Sequence, residues 1–311
     1  MHSHWFNATV VMLWLATMSW LVTVKVLPPL LVGEPPNYGK VVEAQIDAPP
    51  VGWNVLFNNR AIGWALTETA LQPSGLAEMH GRVHFDTLPL KEMIPGWLQP
   101  FSRLIKQPVG ELPMDARSVL TIDPLGRLLH FDSTVQLAAF REMIRVRGTV
   151  EGRQLQFMIR MGKSSYTNEA FLPSNSLLSD ALSPRAQLPG LRVGQTWTVP
   201  VYSPLWPAKK PLEIIHAKVE GTEPIFWNGE MVDAWLVVYR SDPGSGVGGI
   251  SSPKGKLWVR RDGMVLRQQV MLFDSAITFL RLTDDEALKI VAEAGPQWWK
   301  LENEMSSKNY D

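Results

Sequence analysis

The feature that most constrains the fold of this chain is a long series of short segments in which apolar and polar residues alternate. Within one of them Leu155, Phe157 and Ile159 point to one side, and Gln154, Gln156 and Arg160 point to the other. We therefore predict a sheet with one apolar face and one face in contact with solvent. Turn-forming pairs separate several of these segments, and such pairs favour the tight turns that join antiparallel strands. The clearest are Glu151-Gly152, Asn228-Gly229 and Asp262-Gly263.

The predicted strands form two series along the chain. We expect the first at 53–57, 62–69, 75–88, 118–123, 126–133, 143–151 and 153–161, and the second at 196–201, 212–219, 225–227, 232–240, 256–261, 264–273 and 276–282. Three short helices are predicted at 90–106, 174–183 and 284–294, the last opened by a Thr283/Glu286 capping box. The fold class is therefore mainly β: a strongly curved antiparallel sheet, an open barrel, with a few short helices.

The N-terminal region contains an apolar stretch, residues 8–24, without any charged side chain. A helix of about 20 apolar residues matches the roughly 30 Å hydrocarbon core of a membrane, so we predict a transmembrane anchor. A cleaved signal peptide and a buried core helix are the alternatives, but residues 1–7 lack Lys and Arg and no A-x-A-like cleavage site follows. We predict four divisions: a stub and anchor at 1–32, a Pro-rich tether at 33–52, a curved β domain at 53–283 and a C-terminal helix with tail at 284–311.

The composition of the chain limits its cellular location and the kinds of catalysis and metal binding that it can support. The 311 residues include no cysteine, which excludes disulfides, thiolate catalysis and Cys-bound metals. Equal numbers of basic and acidic residues, 30 of each, give no overall field that would attract nucleic acid. We predict a single-pass protein of the bacterial inner membrane with its C-terminal domain on the periplasmic side. Lys25 and Lys40, which follow the apolar stretch, favour the opposite orientation under the positive-inside rule.

Three short segments carry a resemblance to known proteins: residues 53–64, 188–197 and 258–266. They resemble the strand-turn-strand units of a diffuse class of bacterial periplasmic β domains, and more distantly the lipoprotein carriers of the LolA and LolB type. The resemblance implies a long curved antiparallel sheet wrapped over one or two helices, across residues 50–283. It implies no catalytic residues, and the likeness to the lipoprotein carriers concerns architecture only, because the Cys-linked anchor of the LolB type is absent.

Motifs that would carry chemistry are weak. His80 and His84 form H-x-x-x-H, but on a strand the two side chains are about 13 Å apart, too far to share a metal ion. The sequence at 244–249 matches G-x-G-x-x-G, yet a strand rather than a helix is predicted after it, which favours a flexible hairpin loop over a dinucleotide site. We therefore predict no catalytic residues, no metal ligands and no cofactor.

Two sets of residues keep functional interest. A basic patch on one sheet face is predicted to meet an anionic partner or, alternatively, only solvent; its members are Arg141, Arg145, Arg147 and Arg160. A group of tryptophans is predicted to line either a filled core or an apolar ligand cavity; its members are Trp53, Trp64, Trp197, Trp235 and Trp258.

The function that these features favour is that of a membrane-anchored, non-catalytic envelope module that binds a protein partner or an apolar or lipid ligand. One alternative is a structural subunit of a larger membrane complex, with Trp298, Trp299 and Leu301 as a docking patch. The other is a hydrolase or transferase with an unrecognised site. Acid–base catalysis needs titratable groups within hydrogen-bond reach, and no cluster of His, Asp and Ser in the sequence points to one.

Overall fold

The structure is a computed structural model, and it describes residues 3–23, 38–46, 48–88, 112–137, 143–162, 164–173, 177–178, 183–202, 212–241, 253–272 and 275–300. Fifteen strands in these ranges belong to one sheet. All neighbouring strands are antiparallel except β9 and β10, which are parallel. The predicted mainly β class and the single large antiparallel sheet are therefore confirmed.

Strands β1 to β8 follow one another through the first half of the chain. Their bounds are β1 Val51–Phe57, β2 Arg60–Leu71, β3 Ala77–Leu88, β4 Leu112–Ile122, β5 Leu128–Leu137, β6 Met143–Glu151, β7 Gln154–Met161 and β8 Ser164–Phe171. The second half supplies β9 Leu177–Leu178, β10 Thr196–Tyr202, β11 Leu212–Trp227, β12 Glu230–Ser241, β13 Gly255–Val259, β14 Val265–Leu272 and β15 Ser275–Arg281.

The two halves of the sheet meet where β1 pairs with β15, and the strand order runs β8 to β1, then β15 to β9. Although β7 and β10 are separated by eleven strands in that order, the rings of Phe157 and Tyr202 lie 5.9 Å apart in an edge-to-face contact. Because side chains of one sheet face meet across that separation, the sheet curls around this face. We call it the inner face and the opposite one the outer face.

The inner face carries the main core. Trp53, Val55, Phe85 and Phe279 on the central strands are completely buried. A second cluster lies towards β4 to β7 and contains Phe131 and other apolar residues; among them are Ile122, Leu155 and Phe157. The alternation predicted for β7 is confirmed, since Leu155 and Phe157 are buried, Ile159 packs on the second cluster and the intervening Gln156 and Met158 are exposed.

Segment 183–191 crosses the inner face and will be called the inner segment. Ala186 and Leu188 on it are buried in the main core. The Leu188 N–H donates to the carbonyl of Gly263 at 2.7 Å, and the Val265 N–H donates to the carbonyl of Ala186 at 3.1 Å. These bonds satisfy the backbone of an irregular segment that would otherwise be costly to bury.

A short helix, α2 (Tyr38–Gln45 in the structure), lies in the region predicted to be a Pro-rich tether. Val41, Val42 and Gln45 are buried, and the Thr69 hydroxyl on the inner face donates to Gln45 Oε1 at 2.7 Å. Residues 38–45 thus pack onto the sheet instead of extending away from it. The Pro and Gly content suggested an extended segment, but a helix of about two turns with two buried valines outweighs that local preference.

The first helix of the chain is α1, Ser3–Leu21, and its apolar side chains from Phe6 onward are exposed. None of the helices in the described ranges combines the length and the apolar character that crossing a membrane requires. The predicted transmembrane segment is therefore not supported by the described residues. Residues 24–32, the C-terminal part of the predicted anchor, lie outside the described ranges.

The last helix, α3 (Asp284–Ala294), confirms the helix predicted at 284–294. Thr283 Oγ1 accepts from the Glu286 N–H, and the Glu286 carboxylate accepts from the Thr283 N–H at 2.9 Å, so both halves of the predicted capping box form. The helix packs on β1, where a Cβ placed on Gly52 would lie 2.8 Å from the Cβ of Ala287. A glycine is therefore needed for α3 to approach the outer face this closely.

Other local predictions agree less well with the structure. The helix predicted at 174–183 is wrong at its centre, because Leu177–Leu178 form strand β9 alongside Val201 and Tyr202. Residues 225–227, predicted as a separate strand, belong to the long strand β11, which contains a bulge near Gly221. Strand β8 was not predicted, since its side chains are exposed and carry little alternation. The helix predicted at 90–106 lies outside the described residues.

One glycine on the inner face provides a test of the core. Gly148 on β6 stands opposite Phe131 on β5, and a Cβ at this position would overlap the Phe131 ring. We expect Gly148→Val to lower the free energy of unfolding by about 1–3 kcal/mol or more, because the ring has to move within a packed core. Gly221→Ala is the control, since a Cβ there meets nothing within 4 Å. Urea unfolding measures both, and equal small effects would contradict this description of the core.

Candidate ligand site on the inner face

The five tryptophans predicted to line a core or cavity divide between the two faces. Trp53 and Trp197 are buried in the main core of the inner face, and Trp235 packs against it. Trp64 and Trp258 lie on the outer face, where the guanidinium groups of Arg82 and Arg267 lie 5.2 Å and 4.6 Å from the respective ring centroids. Only the first three therefore contribute to the interior of the curved sheet.

Trp197 and Tyr239 leave polar atoms without partners in this interior. Their rings meet edge to face with centroids 6.2 Å apart, and Trp197 is only 4% exposed. Neither Trp197 Nε1 nor the Tyr239 hydroxyl oxygen is accessible to solvent, and no hydrogen-bond partner reaches either atom in the described part of the chain. Buried polar atoms are almost always hydrogen-bonded. Three further exceptions among the described residues, His80 Nδ1, His84 Nδ1 and Arg267 Nε, lie on the outer face. The neighbouring pair on the inner face points to a missing partner at this place.

The neighbours of Tyr239 in the sheet are small. Tyr239 on β12 pairs with Ala217 on β11 and with Gly255 on β13. A methyl group on one side and no side chain on the other leave the aromatic ring without bulky flanking residues. Beyond them, Val201 and Val270 pack against the main core while remaining partly exposed. The surroundings of the two unpartnered atoms are therefore apolar.

The inner segment brings a positive charge to the same region. The Arg185 N–H donates to Gln268 Oε1 at 3.0 Å, which fixes this residue over β14. Gln268 and Val270 lie on the same face of β14, and Val270 pairs with Gly255, the neighbour of Tyr239. The backbone of Arg185 therefore lies one row away from Tyr239, over Gln268, whose neighbour on β13 is Leu257.

The electrostatics agree with this placement. Burial raises the pKa of Tyr239 above its ordinary value, and the positive charge of Arg185 opposes that rise. The hydroxyl therefore stays protonated at neutral pH. The unpartnered groups are then an indole N–H and a phenol O–H, and the Arg185 guanidinium lies within electrostatic range of the phenol; all three groups donate hydrogen bonds. This arrangement can receive an oxygen acceptor; it contains no nucleophile paired with a base.

A second arginine holds the inner segment in place. Arg281 on β15 is buried, donates from Nη1 to the carbonyl of Ala186 at 3.0 Å, and lies 5.8 Å from the ring centroid of Trp53. Burial lowers the pKa of Arg281 to about 10, which still leaves the side chain charged at neutral pH. Arg281 is thus a structural group that connects β15, β1 and the inner segment.

Two members of the predicted basic patch form ion pairs within the sheet. Arg145 and Arg147 on β6 both bind Asp132, at 2.6 Å and 2.9 Å. Burial acts to raise the pKa of Asp132, but the two arginines outweigh it and hold that pKa below its ordinary value. Arg160 lies next to Arg145 on β7 and is exposed, and Arg141 lies outside the described residues.

The outer face of β2 to β4 carries an ion cluster that we did not predict. Asp115 on β4 accepts from Arg82 Nη2 at 2.6 Å and from Arg117 Nε at 3.1 Å, while His84 Nδ1 lies 3.5 Å away. Burial acts to raise the pKa of Asp115, but His84, Arg82 and Arg117 outweigh it and hold that pKa well below its ordinary value. A carboxylate held in this way is a poor general base, so we assign the cluster a structural role.

The chain after α3 covers this cluster. Trp298 is buried, Arg82 Nη1 donates to its carbonyl at 3.3 Å, and Arg117 donates to the carbonyl of Lys300. The Trp299 ring stacks on His80, with centroids 4.3 Å apart. Two of the three residues predicted as a docking patch for a partner therefore contact the sheet of their own chain, and Leu301 lies outside the described residues.

His80 and His84 project from the same face of β3, as expected for residues four apart on a strand. His80 Nε2 lies 3.2 Å from Glu78, and His84 lies 3.4 Å from Asp86 and 3.5 Å from Asp115. The described residues contain no group of three side chains placed to hold a metal ion. The G-x-G-x-x-G sequence at 244–249 lies outside the described residues, and the flanking elements, β12 and β13, are both strands.

Comparison with known proteins does not show a family for this chain. No family model matches the chain, and no curated protein matches it. Among solved structures, one match is a β-barrel-like protein of the domain of unknown function DUF1849 from Brucella abortus, with 8% sequence identity and a TM-score of 0.46. The alignment covers 75% of this chain and 95% of that one. These comparisons give no link to the LolA and LolB carriers.

The ion cluster on the outer face can be tested through pH. We expect Asp115→Asn to lower the free energy of unfolding at pH 7 by about 3 kcal/mol, because two partly buried arginines lose their partner. The pKa of Asp115 is depressed in the folded state, so its stabilisation is present above about pH 4 and declines as the pH falls below the unfolded-state value. The difference between variant and wild type should therefore shrink in acid.

Asp262→Asn is the matched control for this experiment. Asp262 also pairs with an arginine, Arg260, at 2.6 Å, but its side chain is 53% exposed, against 19% for Asp115. Exposed ion pairs contribute at most about 1 kcal/mol, so we expect a small effect. Urea unfolding at pH 7 and below pH 4 measures all three proteins. Equal losses for the two variants, or a constant difference across pH, would contradict the assignment.

Proposed function

We propose that this chain is a non-catalytic binding module whose curved sheet holds an apolar or amphiphilic small molecule on its inner face. The observation that carries the proposal is the pair of buried atoms, Trp197 Nε1 and Tyr239 Oη, that have no partner in the described part of the chain and lie in apolar surroundings. Sites for small ligands in proteins are mostly apolar and contain a few polar groups that orient the ligand. The small neighbours Ala217 and Gly255 support the same conclusion.

We also propose that the N-terminal region tethers this module to a membrane, with the β domain on the periplasmic side of the bacterial inner membrane. The support for tethering is the exposure of apolar side chains all around α1, including Met12, Leu13 and Trp14. A helix that is apolar on every side is stable in an apolar medium and unfavourable in water. The absence of cysteine from the chain fits the oxidising periplasm, where an exposed thiol is subject to oxidation.

Binding is tested with a fluorescent fatty acid, 11-(dansylamino)undecanoic acid, whose emission rises when the dansyl group enters an apolar site. We expect saturable binding to the wild-type chain and binding weakened about tenfold or more by Ala217→Leu, which fills the space beside Tyr239. Ala234→Leu is the matched control, because Ala234 is equally buried but belongs to a small cluster on the outer face.

The outcomes of this experiment separate clearly, provided that circular dichroism shows both variants to be folded. Binding that is lost in Ala217→Leu and kept in Ala234→Leu supports an inner-face site. No emission change up to the solubility limit of the probe would overturn the proposed function. Equal weakening by the two substitutions would place the bound probe elsewhere.

Tethering is tested on the full chain by washing membranes of expressing cells with alkaline carbonate. We expect the wild type to remain in the pellet and the double variant Val11→Lys/Leu15→Lys to be released, because each charge within the apolar helix costs about 2.5–3.5 kcal/mol on insertion. Leu125→Lys is the control, since Leu125 is a highly exposed apolar residue in the β4–β5 turn, at 76%. Release of the wild type by carbonate alone would contradict the tether.

A further inference from the structure

We propose that the inner-face site selects ligands with an anionic oxygen head group, namely single-chain amphiphiles ending in a carboxylate, and that Arg185, Trp197 and Tyr239 form the head-group subsite. This inference rests on the proposed function and specifies the ligand class. The remainder of the inner face near this point is apolar and would contact the alkyl chain.

All three groups of the subsite donate hydrogen bonds. An indole N–H and a guanidinium can only donate, and the Tyr239 hydroxyl is protonated and can donate as well. Since Trp197 Nε1 and Tyr239 Oη have no partner in the described residues, both are available to a ligand. A ligand group that accepts several hydrogen bonds through two oxygens matches this set, whereas a hydroxyl or an amine matches it poorly.

The subsite also carries a positive charge. The inner segment fixes Arg185 over β14 through the 3.0 Å bond from its N–H to Gln268, in the row next to Tyr239. Glu213, farther along β11, is already engaged: it accepts from Ser241 Oγ at 2.8 Å and pairs with Lys254 at 3.4 Å. Within the described residues no ion pair engages the Arg185 side chain, so a carboxylate arriving with the ligand would complete the charge balance.

The arrangement explains why these groups are retained in an apolar interior. Unpartnered buried donors cost free energy, and a charged acceptor forms stronger hydrogen bonds than a neutral one. A carboxylate would satisfy the indole and the phenol and pair with the guanidinium at the same time. A neutral head group of the same size would satisfy the first two and leave the charge unpaired.

The test compares the dansyl fatty acid with its primary amide, which has the same chain and size but no charge. In the wild-type chain we expect the acid to bind at least tenfold more tightly than the amide. Arg185→Gln should remove this preference by weakening the acid alone. Arg192→Gln should keep it, because Arg192 is exposed and lies just beyond the inner segment. Trp197→Phe and Tyr239→Phe should each weaken binding of the acid about tenfold.

The outcomes distinguish this inference from the proposed function. Equal affinities of the acid and the amide for the wild type would overturn the head-group inference and leave an apolar binding site in place. Failure of both probes to bind would overturn both proposals. If Arg185→Gln does not fold, the wild-type ratio of acid to amide still decides, and a preference that survives in a folded Arg185→Gln variant would overturn the role of that residue.

Discussion

The antiparallel pairing of β1 with β15 is the contact on which the rest of the molecule depends. Each half of the chain forms a run of neighbouring strands, and neither run buries its inner face on its own. The register that places Trp53 opposite Arg281 joins them into one sheet long enough to curl until side chains of β7 and β10 meet. Arg281 reinforces the junction by contacting Trp53 and the carbonyl of Ala186.

Local patterns predicted the elements of this sheet well, because a hairpin depends on residues close together in sequence. The turns at Asn228-Gly229 and Asp262-Gly263 lie between strands as expected, and Asn228 adopts the positive φ of 49° that such a turn requires. Strand β8 was missed for the same reason, since an edge strand with exposed side chains has no apolar alternation to detect. The sequence alone was enough for most of the fold class.

Local sequence patterns could not predict the long-range contacts. The pairing of β1 with β15 joins residues more than two hundred positions apart, and no local signal specifies it. Arg82, Asp115 and Arg117 belong to no motif in the sequence, and only the register of β3 with β4 brings them together beneath Trp298. In the candidate site, the sequence singled out Trp197 as an aromatic residue but not Tyr239 or Arg185, since the pairing of β10 to β12 places Tyr239 near Trp197 and the inner segment carries Arg185 over the sheet.

The contrast between the two polar groups of the molecule separates a structural role from a binding role. On the outer face, Asp115 is bound by two arginines and the chain after α3 supplies carbonyl acceptors for them, so the carboxylate and both guanidinium groups are satisfied, while His84 Nδ1 has no hydrogen-bond partner among the described residues. On the inner face, two buried donors lack acceptors among the described residues, at a cost of about 1–3 kcal/mol for each unsatisfied group. In apolar surroundings this cost is a local deficit that an acceptor from outside would remove. Ligand binding should then stabilise the folded state by more than burial of its chain alone, because it also completes hydrogen bonds that the protein leaves open.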